Sequence, residues 1–392
     1  MGESVHVVWS PTLLDFDFGP GHPMSPLRLK LTMDLARALG VLDAPGVRVV
    51  GAESASDDDL CTVHGADYVA AVRAASEHGS ADVAYGLGTE DDPVFAGMHE
   101  AAARVVGGSL AGARAVWSGE AMHAVNITGG MHHAMPDRAA GFCVYNDAAI
   151  AIRRLLADGA QRVAYVDVDA HHGDGVERIF WDDPRVVTIS VHESGHSLFP
   201  GTGHAPQIGG PGALGTAVNV ALPARTGDAG WLRAVSGVVP AVLRGFAPDI
   251  VVSQHGCDAH TSDPLANLRV SIDAQRRVAQ VLHALAHEVA GGRWVALGGG
   301  GYDVVDVVPR AWSHLIAVAG HVALDPCTVL PATWRADVAE HWGCPPERMT
   351  DGVYADFREW GDGYDPTDAV DRAIRETRDA VFGHLGLDPV RD

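Results

Sequence analysis

Apolar positions along this chain follow two alternating rhythms. Short runs rich in Val, Ile and Ala at residues 5–9, 47–50, 121–127, 163–168, 186–191, 250–253 and 294–297 predict strands. The run at 163–168 is almost unbroken, as in a strand buried on both faces. Between them, apolar residues recur at three- and four-residue spacing, which predicts helices over 27–39, 57–75, 94–117, 141–156, 176–181, 231–243, 270–290 and 304–318. Leu27, Leu31, Leu35 and Leu39 share one face of the first, and Gly40 ends it. Strand, polar loop and helix repeat in that order. The expected fold is therefore α/β, a single large domain over residues 1–325 with a mostly parallel central sheet and helices on both faces. From 326 the pattern changes to Pro331, Pro345 and Pro346, with Trp334, Trp342 and Trp360 among acidic residues. Residues 326–392 read as a C-terminal extension packed on the main domain, ending in a helix at 365–385.

In a parallel sheet, ligands gather at the carboxyl ends of the strands. The polar clusters of this chain fall at those ends. After the run at 163–168 come Asp167, Asp169, His171, His172 and Asp174. Side chains two apart share a face of a strand, so Asp167, Asp169 and His171 point the same way while the chain stays extended. A lone Asp-x-His is ordinarily a solvated loop. Five ionisable groups crowded directly behind a buried strand are costly unless a cation compensates them, and Asp with His suits zinc and related transition metals. Asp258, after the strand at 250–253, supplies a third ligand to Asp169 and His171. Three protein ligands leave room for water and substrate.

Two more strand ends add chemistry. His132 and His133 follow Gly129-Gly130, and Asp167 and Asp174 can each fix one imidazole, one His taking a proton from water and the other protonating a leaving amine. In isolation, adjacent loop histidines are usually surface residues. The run Leu297-Gly-Gly-Gly-Gly-Tyr302 fits neither a dinucleotide fingerprint nor a P-loop. Its glycines allow a tight turn beside a ligand, and Tyr302 can donate to a developing oxyanion, although a tyrosine taken singly is more often a packed core aromatic. His64 reads as a hydrogen-bonded core histidine.

Composition narrows the function class. A net charge of −22 over 392 residues argues against nucleic acid as a partner. The five cysteines are dispersed, without Cys-x-x-Cys, which argues against a disulfide framework or a thiolate zinc site. There is no apolar run of membrane-spanning length and no secretory leader pattern at the start, so no membrane partner and a cytoplasmic location are expected.

These motifs together resemble the zinc-dependent histone deacetylase superfamily, specifically its bacterial acetoin-utilisation deacetylases, which are similar to the eukaryotic class I enzymes. The resemblance spans about residues 5–320. It rests on His22-Pro-Met-Ser-Pro-Leu-Arg28, Gly129-Gly-Met-His-His-Ala134, Gly141-Phe-Cys-Val-Tyr-Asn146, Tyr165-Val-Asp-Val-Asp-Ala-His-His-Gly-Asp-Gly-Val176, Phe199-Pro-Gly-Thr-Gly203, Asp258 and Gly298-Gly-Gly-Gly-Tyr302. It implies Asp169, His171 and Asp258 as ligands of Zn2+, with Fe2+ as the alternative. It implies His132 and His133 as the acid/base pair with Asp167 and Asp174 behind them, and Tyr302 as the donor to the carbonyl. Gly141, Phe142, Phe199 and Leu265 would bind substrate as walls of a narrow tunnel, with Asp91 at its rim. Arg28 matches an arginine below the tunnel associated with acetate release. Asp167, Asp169, His171, Ser190 and Val191 match a structural K+ or Na+ site.

The implied activity is hydrolysis of N6-acetyl-lysine in an acetylated protein, an acyl-CoA synthetase of acetate or acetoin metabolism being one such target. Oligomeric state is not legible. Acetylpolyamine amidohydrolases share every one of these catalytic residues and are the alternative. Two-metal ureohydrolases need a carboxylate where this chain has His260. A non-catalytic acyl-lysine reader would be expected to have lost a catalytic residue, and none is lost.

Overall fold

The computed structural model describes residues 4–354 and 356–392. Its strands are β1 (Val5–Val8), β2 (Val47–Val50), β3 (His123–Asn126), β4 (Val163–Asp167), β5 (Val186–Glu193), β6 (Ala217–Leu222), β7 (Ile250–Gln254) and β8 (Trp294–Leu297). They form one eight-stranded sheet in the order β2-β1-β3-β8-β7-β4-β5-β6. Every pairing in this sheet is parallel, in keeping with the mostly parallel sheet expected.

The helices are α1 (Leu27–Ala38), α2 (Asp57–Leu60), α3 (Ala66–His78), α4 (Met98–Ser118), α5 (Asp147–Ala157), α6 (Asp174–Phe180), α7 (Asp228–Phe246), α8 (Ile272–Ala290), α9 (Val308–Ala319), α10 (Ala332–His341) and α11 (Ala369–Val381). They cover both faces of the sheet. Strand β4 shows why: Val163 and Tyr165 join the core under α4, α5 and α6, whereas Ala164 and Val166 join the core under α1, α7, α8 and α9. Alternate side chains of one strand thus feed two separate cores.

Differences from the sequence reading have local causes. The helix expected over 57–75 is two helices. Ser56 and Asp59 close a capping box on α2, and the chain turns at residues 61–65 before α3. His64 lies in that turn, buried, with Nδ1 3.0 Å from Met135 O and Nε2 accepting from Asn146 N. Helix α4 starts at Met98 because Gly97 before it is left-handed (φ 78°). Helix α5 starts at Asp147, capped by the Asn146 side chain, which leaves residues 141–146 as a loop. Strand β6 and helix α10 had no counterpart in the reading. Asn219 interrupts the apolar run of β6, and α10 buries only Trp334 and Val338, too few positions to set a period.

Residues 326–392 pack closely on the rest. Trp334 and Val338 join Leu31 and Leu35 of α1 in one cluster. Helix α11 covers edge strand β6, where Thr377 Oγ1 donates to Asn219 O at 2.6 Å. Covering an edge removes a pairing surface. Asp371 of α11 forms a buried pair with Arg233 of α7, with Nη2 2.9 Å from Oδ2.

Strands β3, β8, β7 and β4 are neighbours in the middle of the sheet. Their carboxyl ends therefore open side by side and bring four loops, 127–133, 298–302, 255–258 and 168–174, to one place.

Candidate active site

The ligand set assembles from two of those loops. Asp169, His171 and Asp258 offer atoms that all lie within 4.8 Å of one another, and all three side chains are buried. His171 Nδ1 sits 3.1 Å from Asp169 Oδ1 and 2.9 Å from Asp258 Oδ2. The outer oxygens are already engaged. Asp169 Oδ2 accepts from Gln254 Nε2 at 2.7 Å and from Gly300 N at 2.8 Å, and Asp258 Oδ1 accepts from Ala170 N at 2.8 Å. Each carboxylate is thus held by one oxygen and presents the other inward, as orienting partners of metal ligands do.

Glycines make this approach feasible. A Cβ on Gly256 would lie 1.9 Å from Asp169 Oδ2, and one on Gly300 would lie 2.1 Å from Asp258 Oδ2. The electrostatics match a cation site. Burial and the neighbouring Asp169 push the Asp258 carboxyl up to about 7, while His132 and His171 outweigh burial and hold Asp169 well below the usual range. Two buried carboxylates facing one imidazole fit a zinc-class divalent ion in donor type and spacing.

The histidine pair lies beside it. His132 Nδ1 is 2.8 Å from Asp167 Oδ2 and His133 Nδ1 is 2.7 Å from Asp174 Oδ1. The two Nε2 atoms face each other at 3.0 Å. With each Nδ1 committed to a carboxylate, only Nε2 is left to move a proton. Burial lowers both imidazoles, but Asp167 and Asp169 overcome it at His132 and lift it to about 9. At His133 burial and the charge of His132 win over Asp174, and it falls to about 4. The pair therefore divides into one charged and one neutral ring.

Tyr302 completes the arrangement from the β8 loop. Its backbone N donates to Asp263 Oδ2 at 2.9 Å, and Asp263 Oδ1 accepts from Leu265 N. Leu265 is thereby tied to the Tyr302 turn, with its side chain partly exposed. Burial, reinforced by Asp258 and Asp169, pushes the phenol well above its ordinary range, so it remains a donor. Arg28 is buried under this turn, with Nη1 donating to Gly299 O at 2.8 Å and Gly301 O at 3.2 Å.

The walls are aromatic. Phe142 meets Tyr302 at 5.6 Å between ring centroids, and Phe199 meets His133 at 5.0 Å. Gly141, left-handed at φ 55°, lies between them, and a Cβ there would sit 2.6 Å from His133 and 3.0 Å from Phe199. Phe199 is exposed at the mouth. Asp91 is exposed too, and its carbonyl lies 3.1 Å from His22 Nε2, whose ring packs on Phe142. Beyond the mouth lies a groove of about 690 Å³ bordered by Arg138, Phe199 and Gln207. On the far side of the pair, Asp167 Oδ1 accepts from Asp169 N, and Asp167 is in register with Ser190, next to buried Val191.

The structure thus brings Asp169, His171, Asp258, His132, His133, Tyr302, Gly141, Phe142 and Phe199 together, while Arg28 lies under the Tyr302 turn and Ser190 and Val191 lie on β5 behind Asp167. It also adds four that the sequence reading gave no role. Gln254 holds Asp169. Asp147, buried, accepts from Gly130 N and Met131 N and fixes the loop before the histidine pair. Asn146 Nδ2 donates to His132 O and Ala134 O, and Asp263 anchors Tyr302. The only sequence signal for Gln254 was its place at a charged strand end. His260 turns away from the ligand set, with Nε2 3.0 Å from Asp351 Oδ2 in the C-terminal segment.

Comparison with known proteins agrees with this geometry. The histone deacetylase domain family matches residues 22–319. The acetoin utilization protein AcuC of Bacillus subtilis (strain 168) is 43% identical over 341 residues, covering 85% of this chain and 86% of that protein. AcuC of Staphylococcus xylosus is 39% identical over 339 residues, with 85% and 87% covered, and AcuC of Staphylococcus aureus (strain MSSA476) 41% over 312 residues, with 79% of each. With its ligand triad, histidine pair and tyrosine loop carried on these matched residues, the chain belongs to the histone deacetylase superfamily, among its AcuC-type members.

Proposed function

We propose that this protein is a metal-dependent lysine deacetylase that hydrolyses the N6-acetyl amide of lysine side chains in proteins, acting in acetoin utilisation as the names of its relatives suggest. The observation that carries the reading is the meeting of the Asp169/His171/Asp258 set, the His132–His133 pair and Tyr302 at the base of an aromatic-walled cleft. A zinc-class ion held by those three ligands would supply Lewis-acid polarisation of the acyl carbonyl and the attacking water.

The chain's own groups do the rest. Gly141, Phe142 and Phe199 grip the apolar lysine stem and exclude water. Neutral His133 takes the proton from water at Nε2, and Asp174 holds its ring. Tyr302 donates to the oxygen that gains charge as the carbonyl carbon becomes tetrahedral. The C–N bond then breaks, and His133 passes the proton it took from water at Nε2 to the departing lysine amine, a release that the charged His132 beside it favours. Acetate is left beneath, near Arg28. Exposed Asp91 is placed to hold the substrate's backbone at the rim, and the groove beside Phe199 has room for a peptide. The turn of Asp167, Asp169 and His171 beside Ser190 and Val191 is the proposed K+ or Na+ site.

The test is a comparison of kcat/KM for an acetyl-lysine peptide with that for acetylputrescine and acetylspermidine. The peptide is expected to be favoured, and Asp91→Ala to erode that preference by weakening the peptide more. Equal or better turnover of the acetylpolyamines by the unaltered enzyme would replace this reading with the polyamine one.

A further inference from the structure

At the opposite, amino end of the sheet four histidines converge. His123 is the first residue of β3 and is fully buried. His283 and His287 lie four apart on α8, on one helix face. His321 follows the end of α9. The Nε2 atoms of His321, His283 and His287 approach Nε2 of His123 to 3.1, 3.2 and 3.2 Å. The ligand atoms of all four lie within 4.8 Å of one another.

Hydrogen bonding does not account for this packing. An imidazole Nε2 carries either one hydrogen or one lone pair, directed along the ring plane. His123 can satisfy only one of its three close neighbours in that way, which leaves the others as nitrogen–nitrogen contacts with no proton between them. A cation at the centre satisfies all four lone pairs at once. Zinc–nitrogen bonds of ~2.05 Å in a tetrahedron place the nitrogens about 3.3 Å apart, close to the three separations from His123.

Two further observations point the same way. His321 is held at φ 53°, in the left-handed region that residues other than glycine rarely adopt, and in that conformation its ring joins the others. His123 Nδ1 is buried without a hydrogen-bond partner among the described residues, and the Gly292 backbone acts on the same ring, as an orienting group does on a metal-bound imidazole. Access exists as well. An open groove of about 710 Å³ runs past His283 and His321, bordered by Gln280 and Asp325.

We propose that His123, His283, His287 and His321 form a second metal site, closed and tetrahedral, that binds one zinc-class divalent ion and staples β3, α8 and the turn after α9 together. Four protein ligands leave no open coordination position, so the ion is structural rather than catalytic. His123 and His321 are 198 residues apart in the chain, so the bond closes a large loop. Binding to the folded state alone stabilises it.

The experiment uses the full-length protein, stripped with chelator, reloaded with zinc sulfate and freed of excess zinc, with metal counted by mass spectrometry. The unaltered chain should hold two zinc ions, the double variant H287Q/H321Q one, Asp258→Ala one, and the combined variant none. Zinc should raise the melting temperature of Asp258→Ala but not of Asp258→Ala/H287Q/H321Q. Cobalt bound to Asp258→Ala should give the intense visible bands of a tetrahedral ion, lost with H287Q/H321Q. Circular dichroism checks the fold, so the outcome does not depend on any activity. Should the double variant not fold, His321→Gln alone, at an exposed position, is expected to lose the second ion on dialysis. The same zinc count in the unaltered chain and in a folded H287Q/H321Q would overturn the proposal.

Discussion

The two ends of the central sheet gather histidines in opposite ways. At the carboxyl end, His171 stands between two buried carboxylates whose outer oxygens are tied by Gln254, Gly300 and Ala170. At the amino end, His123 stands among three imidazoles, with no carboxylate in the cluster. The first set compensates an ion's charge with its own and offers three ligands, which suits a site where a substrate completes the coordination. The second offers four neutral ligands and compensates nothing. It suits an ion that only holds chain segments together. The difference teaches that ligand chemistry, and not the number of histidines, separates a site for reaction from a site for structure.

The largest effect should come from removing a carboxylate at the reactive end. Asp258→Ala is expected to lower acetyl-lysine peptide hydrolysis by roughly 10³-fold or more, because an ion supplies several kcal/mol of charge stabilisation. Chelator treatment of the unaltered enzyme should do the same, and zinc should restore only the latter. H287Q/H321Q should leave turnover unchanged. A matching loss in that variant would break the division between the two ends.

Tyr302→Phe is expected next, with kcat lowered by ~10²–10³-fold and little change in KM, since the phenol acts where charge develops. Steady-state kinetics on the same peptide decide it. An effect confined to KM would make Tyr302 a binding residue.

Gln254→Ala tests whether the tied outer oxygen matters. Loss of its bond to Asp169 should weaken zinc binding by roughly 10–100-fold, read in a competition titration with a chelating dye.

The smallest effect is one of pH on the metal-free protein, followed by urea denaturation. His132 is raised to about 9, so its stabilising contribution is complete below its unfolded value of 6.5 and lost as pH rises toward 9. His133 is lowered to about 4, so its contribution is complete above 6.5 and lost as pH falls toward 4. Stability from this pair should peak near neutrality. Asp167→Asn should flatten the alkaline limb, and an unchanged limb would show that Asp167 does not hold the charge on His132.

Much of this was legible in the chain. The unbroken apolar run ahead of Asp167 announces a buried parallel strand, because burial on both faces removes polar alternation. Asp169 and His171 sit on one short turn, so their proximity is set by local geometry. His132 and His133 are adjacent, and the glycines before Tyr302 declare a close approach of backbone to a ligand. These features depend on neighbours in sequence, and sequence displays them.

Tertiary structure alone decided the rest. Strand β7 lies beside β4 and β8, and that order places Gln254 against Asp169 and Gly299, which no local pattern encodes. His260 meets Asp351 across 91 positions, and Asp371 meets Arg233 across 138. The four-histidine cluster is the clearest case. Only the His283–His287 spacing is local; His123 and His321 arrive through the pairing of β3 with β8 and the packing of α9 on α8. Periodicity fixes which face of an element is buried, but which elements then become neighbours depends on the summed packing of the whole sheet. That sum, and not any motif, brings these imidazoles together.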